Sequence, residues 1–293
     1  MQIEARLRAF ASFARQRSFS GAAEELRISQ PAISKHIADI EQELGVKLVE
    51  RLPRGGRLTP AGELLASHVL RAEGILTQAA RGVAALRELE SGSLSVVSSG
   101  VPGSYLLPEV LARFQAAHPA IKLGLELTTS REAVDAVRGH RAEIGVVGGF
   151  VAAPELEAEP WIEDEIIIVG HPKLAKDCLS RDELEALTWI SRDAGSATRS
   201  MVESALMHLG LAPKQRLEQP SWEAVKLTAR RGHGVAGISR FAVIDELESG
   251  ALVEIPMQSW NLRRTFSIIR LRDAALTPAA QQFLLMLKRP DES

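Results

Sequence analysis

The stretch FSGAAEELRISQPAISKHIADIEQEL, residues 19–44, predicts two short helices joined by a tight turn. We place the first helix from Ser20 to Leu26, with Ser20 as its N-cap. The second helix is capped by Ser29 and carries Pro31 in its first turn, where a missing N–H costs nothing. Apolar residues recur along this helix at steps of 4, 3 and 4, so one face is buried and the other is exposed. The buried stripe consists of Ile33, Ile37, Ile40 and Leu44.

The exposed face of the second helix begins with Gln30, Pro31, Ser34 and Lys35. Two helices of this kind, with such side chains at the N-terminus of the second, are typical of a helix-turn-helix that enters the major groove. Gln pairs well with adenine, Lys with guanine and Ser with either base. Further along, the turn-rich basic segment Pro53–Arg57 suits a hairpin wing that contacts phosphates or a minor groove. The alternative is a small three-helix bundle with ordinary solvated charges.

Residues 59–90 predict one long helix, opened by Thr59 as N-cap and Pro60 as its first residue. Apolar residues repeat every seven positions along it, and this period of about 3.5 residues is typical of a helix that pairs with another helix. We therefore expect a homodimer formed through this linker helix, with packing against its own domain as the alternative. The two heptad series are Leu65, Ala72, Ala79 and Leu86, and Val69, Leu76 and Val83.

The composition excludes a disordered chain, a collagen and a disulfide scaffold. With 293 residues, 45% of them hydrophobic and 25% charged, the chain can form about two domains with real cores. Residues 1–58 carry ten basic and seven acidic side chains (+3), whereas residues 91–293 carry 22 and 26 (−4). The single cysteine, Cys178, forms no bridge within the chain, and we find neither a secretory signal nor an apolar run of membrane-spanning length. We expect a cytoplasmic protein with no membrane contact.

Beyond residue 91 the pattern alternates between short apolar strands and amphipathic helices, which predicts a doubly wound, mostly parallel α/β architecture. A capping box from Ser180 to Glu183 fixes the start of one helix. We expect strands at 94–98, 121–129, 144–147, 166–169, 188–191, 234–238 and 265–271, and helices at 104–117, 131–138, 180–187, 197–209, 221–231 and 277–288.

Three of the predicted strands end in loops rich in hydroxyl groups, at residues 98–100, 128–130 and 191–199. Small molecules bind beyond the carboxyl ends of strands in open α/β sheets, where the N–H groups of the following helices point outward. Hydroxyls and helix N-termini favour an anion, and Arg192 or Arg199 would add positive charge. Each hydroxyl taken alone is explained equally well as a helix cap. If capping were the only requirement, Asp would also be tolerated at these positions, but Asp would repel an anion, so three hydroxyl-rich loops together favour an anion site. We therefore expect a small anionic or carboxylate effector.

No other constellation in the sequence points to catalysis or to a bound cofactor. Residues 232–237 match G-x-G-x-x-G, but this match follows a helix and leads into a strand, which is the wrong order for a dinucleotide site. The seven histidines show no metal-ligand spacing, and neither a P-loop nor a G-x-S-x-G elbow occurs. We expect no enzyme activity, no metal and no cofactor. The two alternatives are an enzyme that has acquired a DNA-binding domain and a DNA-binding protein whose second domain only oligomerises.

Several of these segments together resemble the LysR-type transcriptional regulators. The resemblance is carried by residues 19–26 (FSGAAEEL), residues 28–37 (ISQPAISKHI), Leu44-Gly45, Glu50-Arg51 and residues 58–62 (LTPAG). It covers the first domain almost without gaps, and the remaining chain agrees with the family in length and order. The family often has Phe before its Glu-Arg pair, where this chain has Val49, a conservative change in packing.

The resemblance implies a winged helix-turn-helix, a linker helix and an effector-binding domain of two subdomains, similar to periplasmic binding proteins. It also implies a homotetramer that binds double-stranded promoter DNA and changes its bending when a small inducer enters the cleft, with RNA polymerase as a further candidate partner. Carried over to this sequence, the DNA-contacting positions are Gln30, Pro31, Ser34 and Lys35, with the wing residues Arg51, Arg54 and Arg57. The effector-binding positions are Ser99, Gly100, Thr129, Ser130, Ser196, Thr198, Gly237 and Ile238.

The predicted domains follow from these assignments. They are a DNA-binding domain at 1–58, a linker and dimerisation helix at 59–90, and an effector-binding domain at 91–293, with subdomain I at about 91–160 and 266–293 and subdomain II at about 161–265. Residues 195–199 (GSATR) are similar to the Gly-Ser-Gly-Thr-Arg segment of the branch that regulates sulfur assimilation and carbon fixation, with Ala197 replacing the second glycine. The expected function is a sequence-specific DNA-binding transcriptional regulator whose promoter binding or DNA bending responds to a small anionic metabolite.

Overall fold

The computed structural model describes residues 4–52, 55–87, 92–149, 153–175, 179–257 and 259–288. It divides into two compact units. Met1–Gly92 together with Arg138–Arg141 form the first unit, and Ser93–Val137 together with Ala142–Ser293 form the second. The single cysteine, Cys178, lies outside the described residues.

The first unit is built on three helices around one apolar core. The helices are α1 (Ala5–Gln16), α2 (Phe19–Leu26) and α3 (Gln30–Leu44). The predicted stripe of α3 is buried at Ile33, Ile37 and Ile40, whereas Leu44, the last residue of the helix, is 52% exposed. The core residues of the three helices include Phe10, Phe13, Phe19, Ala22, Ile33, Ile37 and Ile40.

The start of α2 differs from the prediction by two residues. Ser18, rather than Ser20, is the N-cap, because the Ser18 hydroxyl accepts a hydrogen bond from the amide of Gly21. Phe19 is therefore the first helical residue, and its ring packs on that of Phe13 with centroids 4.5 Å apart. Both serines satisfy the N-cap preference, so the burial of Phe19 decides between them.

A hairpin and a long helix complete the first unit. Strands β1 (Val49–Arg51) and β2 (Gly56–Leu58) pair in antiparallel orientation, and α4 covers Pro60–Arg87. Thr59 caps α4 as predicted, since its hydroxyl accepts from the amide of Gly62 at 3.0 Å. The elements of this unit are those of a winged helix-turn-helix followed by a long helix.

Among the described residues, the second unit forms one nine-stranded mixed sheet. The order along it is β4-β3-β5-β11-β6-β9-β7-β8, and β10 pairs with β6. In chain order the strands are β3 (Ser93–Ser99), β4 (Lys122–Thr128), β5 (Ile144–Gly148), β6 (Leu156–Gly170), β7 (Thr188–Arg192), β8 (Gln215–Gln219), β9 (Val235–Ser239), β10 (Val253–Glu254) and β11 (Leu262–Leu271).

The sheet consists of two parallel halves joined by an antiparallel pair of long strands. β3 pairs in parallel with β4 and β5, and β7 pairs in parallel with β8 and β9. β6 and β11 lie between these halves and pair with each other. The pairing shifts at Trp161: Phe266 pairs with Ile162, whereas Ser267 pairs with Pro160. Such a β-bulge bends the strands, and the predicted boundaries between the two subdomains fall at this bulge.

Helices cover both faces of this sheet. In β3, Val96 packs with α5 and α11, whereas its neighbour Val97 packs with α6. In β6, Ile167 packs with α9, whereas Ile168 packs with α7 and α8. This alternation is the predicted doubly wound arrangement. The sheet is not mostly parallel as predicted, because four of its strand pairs in the described residues are parallel and four are antiparallel. The helices are α5 (Leu107–Ala117), α6 (Ser130–Arg138), α7 (Arg181–Ala186), α8 (Ala197–His208), α9 (Trp222–Arg230), α10 (Ile244–Glu248) and α11 (Pro278–Lys288), with a π-helical turn at Pro102–Leu106.

The two-residue strand β10 was not predicted, and two further strands differ from the sequence-based prediction because they lack a continuous apolar pattern. β6 is 15 residues long, whereas only residues 166–169 were predicted, because its first part carries charged side chains between partly buried ones. β8, with the sequence QRLEQ, lies at the edge of the sheet and is mostly exposed, so it has no apolar pattern to detect. None of the helices in the described ranges combines the length and apolar character needed to cross a bilayer.

Candidate DNA interface and effector cleft

The N-terminal end of α3 presents the side chains predicted to contact DNA. Ser29 caps this helix as predicted, accepting an amide hydrogen bond from the first turn at 3.3 Å. Gln30, Pro31 and Lys35 are exposed, and Ser34 is half-buried. Positions separated by four residues share a helix face, so these side chains form one accessible surface at the start of the helix. The surface has the position and chemistry of the base-reading end of a recognition helix.

The wing contributes a less available set of positive charges. Arg57 on β2 faces Glu50 on β1, and its Nη2 lies 2.6 Å from a Glu50 carboxylate oxygen. This carboxylate raises the pKa of Arg57 above its usual value. Glu50 accepts from Nε and Nη2 of Arg57, so a DNA phosphate would compete with this carboxylate for the guanidinium. Arg51 belongs to β1, and Arg54 lies outside the described residues.

A buried carboxylate in α3 fixes the wing to the helices. Glu41 is only 8% exposed; one carboxylate oxygen accepts from the amides of Leu48 at 2.9 Å and Val49 at 3.2 Å. The other carboxylate oxygen accepts from the ammonium of Lys47. Burial opposes the charge, but the hydrogen bonds from Lys47 and the two amides outweigh it and lower the pKa of Glu41. Glu41 is not among the residues predicted from the sequence.

The predicted dimer seam on α4 divides into two parts. Towards its N-terminal end, Leu65 packs against the core of the first unit and Val69 is buried. Further along, Ala72 and Ala79 are exposed and Val83 is 62% exposed. Packing on its own domain thus accounts for the first turns of α4, and the later turns expose apolar side chains.

A cavity of about 600 Å³ lies in the second unit where β3, β4 and β7 end. The three hydroxyl-rich loops of the sequence analysis meet there, because parallel strands deliver their carboxyl ends to one edge of the sheet. Its apolar lining comes from Val101, Pro102, Tyr105, Leu127, Trp222 and Phe266, and its polar lining includes Ser99, Thr129, Ser130, Glu132, Arg192, Asp193, Ser196, Thr198, Glu223 and Arg264.

Three of the predicted hydroxyls line this cavity and have a hydrogen available to donate. Ser99 Oγ accepts from a backbone amide at 3.2 Å, and Ser196 Oγ accepts from an amide of the first turn of α8 at 3.3 Å. Thr198 Oγ1 accepts from Nη1 of Arg264 at 2.9 Å. A hydroxyl that accepts still has its own hydrogen to donate, and these three hydrogens have no acceptor among the described residues. The arrangement favours a ligand with oxygen acceptors.

The β4 loop behaves differently, because its donors are already used by the protein. The hydroxyls of Thr128 and Thr129 and the amide of Thr129 all donate to the carboxylate of Glu132, which forms a capping box at the start of α6. Ser130 Oγ donates to the carbonyl oxygen of Gly148 at 3.1 Å. The predicted effector residues Thr129 and Ser130 therefore lie at the cavity with their hydroxyl hydrogens bound internally.

Two predicted effector residues lie away from the cavity wall. Gly100 lines the cavity, but Gly237 and Ile238 do not belong to its lining among the described residues. Ile238 is fully buried in the core against α9, and a Cβ at Gly237 would lie 2.6 Å from a methyl group of Val202. The assignment of these two residues is corrected accordingly: Gly237 allows α8 to pack closely on β9, and Ile238 fills the core.

The structure adds a buried polar chain that the sequence analysis missed. Arg264 on β11 and Asp164 on β6 are cross-strand partners, with Nε 2.8 Å from Oδ2. Ser239 Oγ donates to the other carboxylate oxygen at 2.7 Å. The guanidinium lies 4.7 Å from the ring centroid of Phe266, and burial lowers the pKa of Arg264 although Asp164 opposes this shift. The strand, LRRTFSIIRL, carries three arginines, of which Arg264 alone is buried, and its sequence does not single Arg264 out.

The two predicted cationic residues near the third loop have different surroundings. Arg192 lines the cavity, pairs with Asp193 at 2.9 Å and lies 5.7 Å from the ring centroid of Trp222. Arg199 does not belong to the lining among the described residues, because its guanidinium pairs with Glu218 at 2.6 Å and with a second glutamate on α8. Arg192 is therefore the one of the two that can contact a ligand.

Comparisons with known proteins agree with both units. The family model described as "LysR substrate binding domain" matches residues 87–290, and the model described as "Bacterial regulatory helix-turn-helix protein, lysR family" matches residues 5–63. The chain is 30% identical over 285 residues to the HTH-type transcriptional regulator CysL of Bacillus subtilis, covering 96% of this chain and 95% of CysL.

Solved structures show the same fold. Full-length CbnR complexed with its target DNA has a TM-score of 0.66 and 20% identity, covering 97% of this chain and 99% of CbnR. The regulatory domain of CcmR from Synechocystis PCC6803, solved in complex with 2-PG, has a TM-score of 0.60 and 21% identity, covering 67% of this chain and 95% of that domain. With these matches to both units, the resemblance predicted from the sequence is confirmed, and the chain belongs to the LysR family of bacterial transcriptional regulators.

Proposed function

We propose that this LysR-type regulator binds promoter DNA through α3 and the wing, and that its DNA binding or bending responds to a small anionic metabolite in the second unit. The observation that carries the proposal is the set of three hydroxyls, Ser99, Ser196 and Thr198, that have hydrogens to donate at one cavity. Two of them stand at the N-terminus of α8, where free amides and the helix dipole also favour negative charge.

The cavity is suited to a small metabolite with an oxyanion head and a compact apolar part. Its volume of about 600 Å³ is within the usual range for ligand pockets, and one side of it is apolar. The three lining carboxylates are each bound by protein donors: Glu132 by threonines, Asp193 by Arg192, and Glu223 by Lys226. The complex of the CcmR domain with 2-PG supports a ligand of this class for the present chain.

For the DNA interface, we assign base contacts to Gln30, Ser34 and Lys35, with Pro31 in the same surface. The wing residues Arg51, Arg54 and Arg57 are assigned to the phosphate backbone. Residues 1–58 contain ten basic and seven acidic residues, and their net charge of +3 supports this assignment. A cytoplasmic location follows from the need to reach the chromosome.

We further propose a homodimer formed through the later turns of α4 and a homotetramer built from two such dimers, with RNA polymerase as a candidate partner at the promoter. The exposed apolar side chains of Ala72, Ala79 and Val83 support the dimer.

The proposed domain limits are 1–58, 59–90 and 91–293, with the two subdomains meeting at the bulge near Trp161. The family consists of regulatory DNA-binding proteins, and we propose no enzymatic role.

The effector proposal is tested with a panel of matched probes on the full-length chain. Sulfate, inorganic phosphate, acetate, malonate and 2-PG are compared with ethylene glycol and ethanolamine by thermal shift and calorimetry. We expect at least one anion to stabilise the second unit and to change the affinity or bending of promoter DNA, with no effect of the neutral and cationic probes. Stabilisation by none of the anions, or equally by ethanolamine, would contradict the proposal and favour a second unit that only oligomerises.

A further inference from the structure

We propose that Arg264 is a positioning residue of the effector cleft, which fixes the hydroxyl of Thr198 as a hydrogen-bond donor to an oxyanion of the effector. The inference rests on the proposed effector function. Arg264 lies on β11, outside the three hydroxyl-rich loops, and the inference specifies that Thr198 is the donor in its hydrogen bond to the effector.

The guanidinium of Arg264 is held in one orientation by groups beneath the cavity. Its Nε donates to Oδ2 of Asp164 at 2.8 Å, and the two residues are direct cross-strand partners on β11 and β6. Asp164 is in turn held by Ser239, which donates to Oδ1 at 2.7 Å from β9. The side chains of Arg264 and Asp164 are 4% and 0% exposed. Water therefore does not compete for these bonds, and the guanidinium has little freedom to turn.

The fixed guanidinium determines which way the Thr198 hydroxyl points. Nη1 of Arg264 donates to Thr198 Oγ1 at 2.9 Å. Arginine has no acceptor, so the hydrogen of Thr198 must point away from Arg264. Within the described residues this hydrogen has no protein acceptor, and Thr198 lines the cavity. The hydroxyl is thus preset as a donor before any ligand arrives, which reduces the ordering cost of binding.

The geometry of the ion pair is consistent with this role. Nη2 of Arg264 lies 2.8 Å from Oδ2 of Asp164, yet this nitrogen is buried and directs no N–H at an acceptor. The guanidinium therefore does not make the two parallel hydrogen bonds of an ideal arginine–carboxylate pair. It instead uses Nε for Asp164 and Nη1 for Thr198, which places it as a link between the long strands and the first turn of α8.

The charges of Arg264 and Asp164 also determine which kind of ligand head group the site at Thr198 favours. Arg264 lies beside the positive end of the α8 dipole, and Asp164 balances its formal charge from the far side. A ligand group at Thr198 meets hydroxyl donors and free amides of α8. A carboxylate, sulfate or phosphate offers negatively charged acceptors, whereas an ammonium group has only donors and would place its hydrogens against those of the site. The preferred head group is therefore an oxyanion.

The test is a set of variants of the full-length protein, titrated with sulfate, inorganic phosphate and 2-PG by calorimetry. Thr198→Val and Arg264→Lys should each weaken the binding of the bound anion by about tenfold. Combining them should weaken binding no more than Thr198→Val alone, since Arg264 acts through Thr198. Thr198→Ser should recover the affinity that Thr198→Val loses. Arg263→Lys, an exposed neighbour on β11, is the matched control and should bind as the wild type does.

The outcomes separate this inference from the function on which it rests. If the wild type binds an anion and Arg264→Lys binds it equally well, or if the losses of the two single variants multiply in the double variant, the positioning role is wrong and the proposed function stands. If the wild type binds none of the three anions, the proposed function fails, and the inference fails with it. Should Arg264→Lys not fold, the neutral pair Asp164→Asn with Arg264→Gln removes both charges together, and the same loss is expected.

Discussion

The phenol of Tyr105 donates a hydrogen bond to Oε1 of Glu223 at 3.1 Å, and thereby ties the π-helical turn after β3 to α9 in the other half of the sheet. Nζ of Lys226 lies 5.3 Å from the centroid of the Tyr105 ring and pairs with the same glutamate at 2.9 Å. Tyr105 and Glu223 both line the cavity at the ends of β3, β4 and β7. Burial, and then the negative charge of Glu223, raise the pKa of Tyr105 above its ordinary value.

We expect the phenol to titrate clearly above the ordinary pKa of 10.0. The chain has one tyrosine, so an ultraviolet absorbance titration reports this residue alone. Glu223→Gln should bring the pKa part of the way down, because burial remains. The unfolded chain ionises at the ordinary value and the folded chain does not, so stability should decline as the pH rises above about 10. Glu218→Gln, an exposed glutamate paired with Arg199, is the control, and an ordinary titration in the wild type would refute the contact.

For the DNA interface, Gln30→Ala and Lys35→Ala should each weaken binding to a selected operator by about 1–3 kcal/mol. The operator is selected from a random library with the wild type, and affinities are measured by fluorescence anisotropy at one stated salt concentration. Gln42→Ala, an exposed glutamine at the other end of α3, should have no effect. Equal losses on operator and random duplex would reassign the two side chains to phosphate contacts.

The dimer proposal has a closely matched pair of variants on α4. Ala79 and Ala80 are adjacent and both exposed, but only Ala79 belongs to the heptad seam. Ala79→Glu should disrupt the dimer because it places a charge in the seam, whereas Ala80→Glu should leave it intact. Light scattering and sedimentation of the two proteins measure the difference. A dimer that tolerates both substitutions would place the interface elsewhere.

Glu41→Ala should destabilise the first unit by about 2–4 kcal/mol, because it leaves the buried amides of Leu48 and Val49 without an acceptor. All four tryptophans lie at residue 161 or beyond, so tryptophan fluorescence reports the second unit and circular dichroism reports both. During urea unfolding, only the circular dichroism transition should shift. Glu43→Ala, whose 62% exposed carboxylate pairs with Arg6, should cost no more than about 0.5 kcal/mol.

The stabilisation by Glu41 should also depend on pH. Its pKa is lowered in the folded state, so the contribution is complete above the ordinary value of 4.5 and is lost as the pH falls through the folded value. The difference in stability between wild type and Glu41→Ala should therefore narrow in acid. A difference that stays constant from neutral to acidic pH would show that the carboxylate charge plays no part.

Local signals in the sequence were sufficient for several helix caps and for the position of the cavity, but they misplaced the cap of α2 by two residues. Ser29, Thr59 and the capping box at Ser180 act as predicted, because each depends on residues within three positions along the chain. The three strand ends come together at one cavity because parallel strands share an edge. The directions of the hydroxyl groups were not predicted. For Thr129 the capping rule could have supplied the direction, because its partner Glu132 lies three positions later.

The series of hydrogen bonds that runs from Ser239 through Asp164 and Arg264 to Thr198 could not be predicted, because it depends on which strands are neighbours in the sheet. Asp164 and Arg264 are about 100 positions apart and meet only through the pairing of β6 with β11. No periodicity specifies that pairing, since each strand reads as an ordinary partly buried strand on its own. Gly237 and Ile238, in contrast, were assigned to the effector site although they do not line the cavity. Their assignment came from the family resemblance alone, and neither residue has a polar side chain that could bind a ligand.

The long pairing of β11 also affects how the protein is made. Val147 on β5 pairs with Ser267, about 120 positions later, so the two halves of the sheet are not joined until β11 has left the ribosome. The apolar core of the first unit, in contrast, is made by residues 7–66 and can form early in synthesis. A nascent or prematurely terminated chain would therefore hold a finished DNA-reading module with no sensor to govern it, and rapid degradation of such fragments would protect promoters from unregulated occupancy.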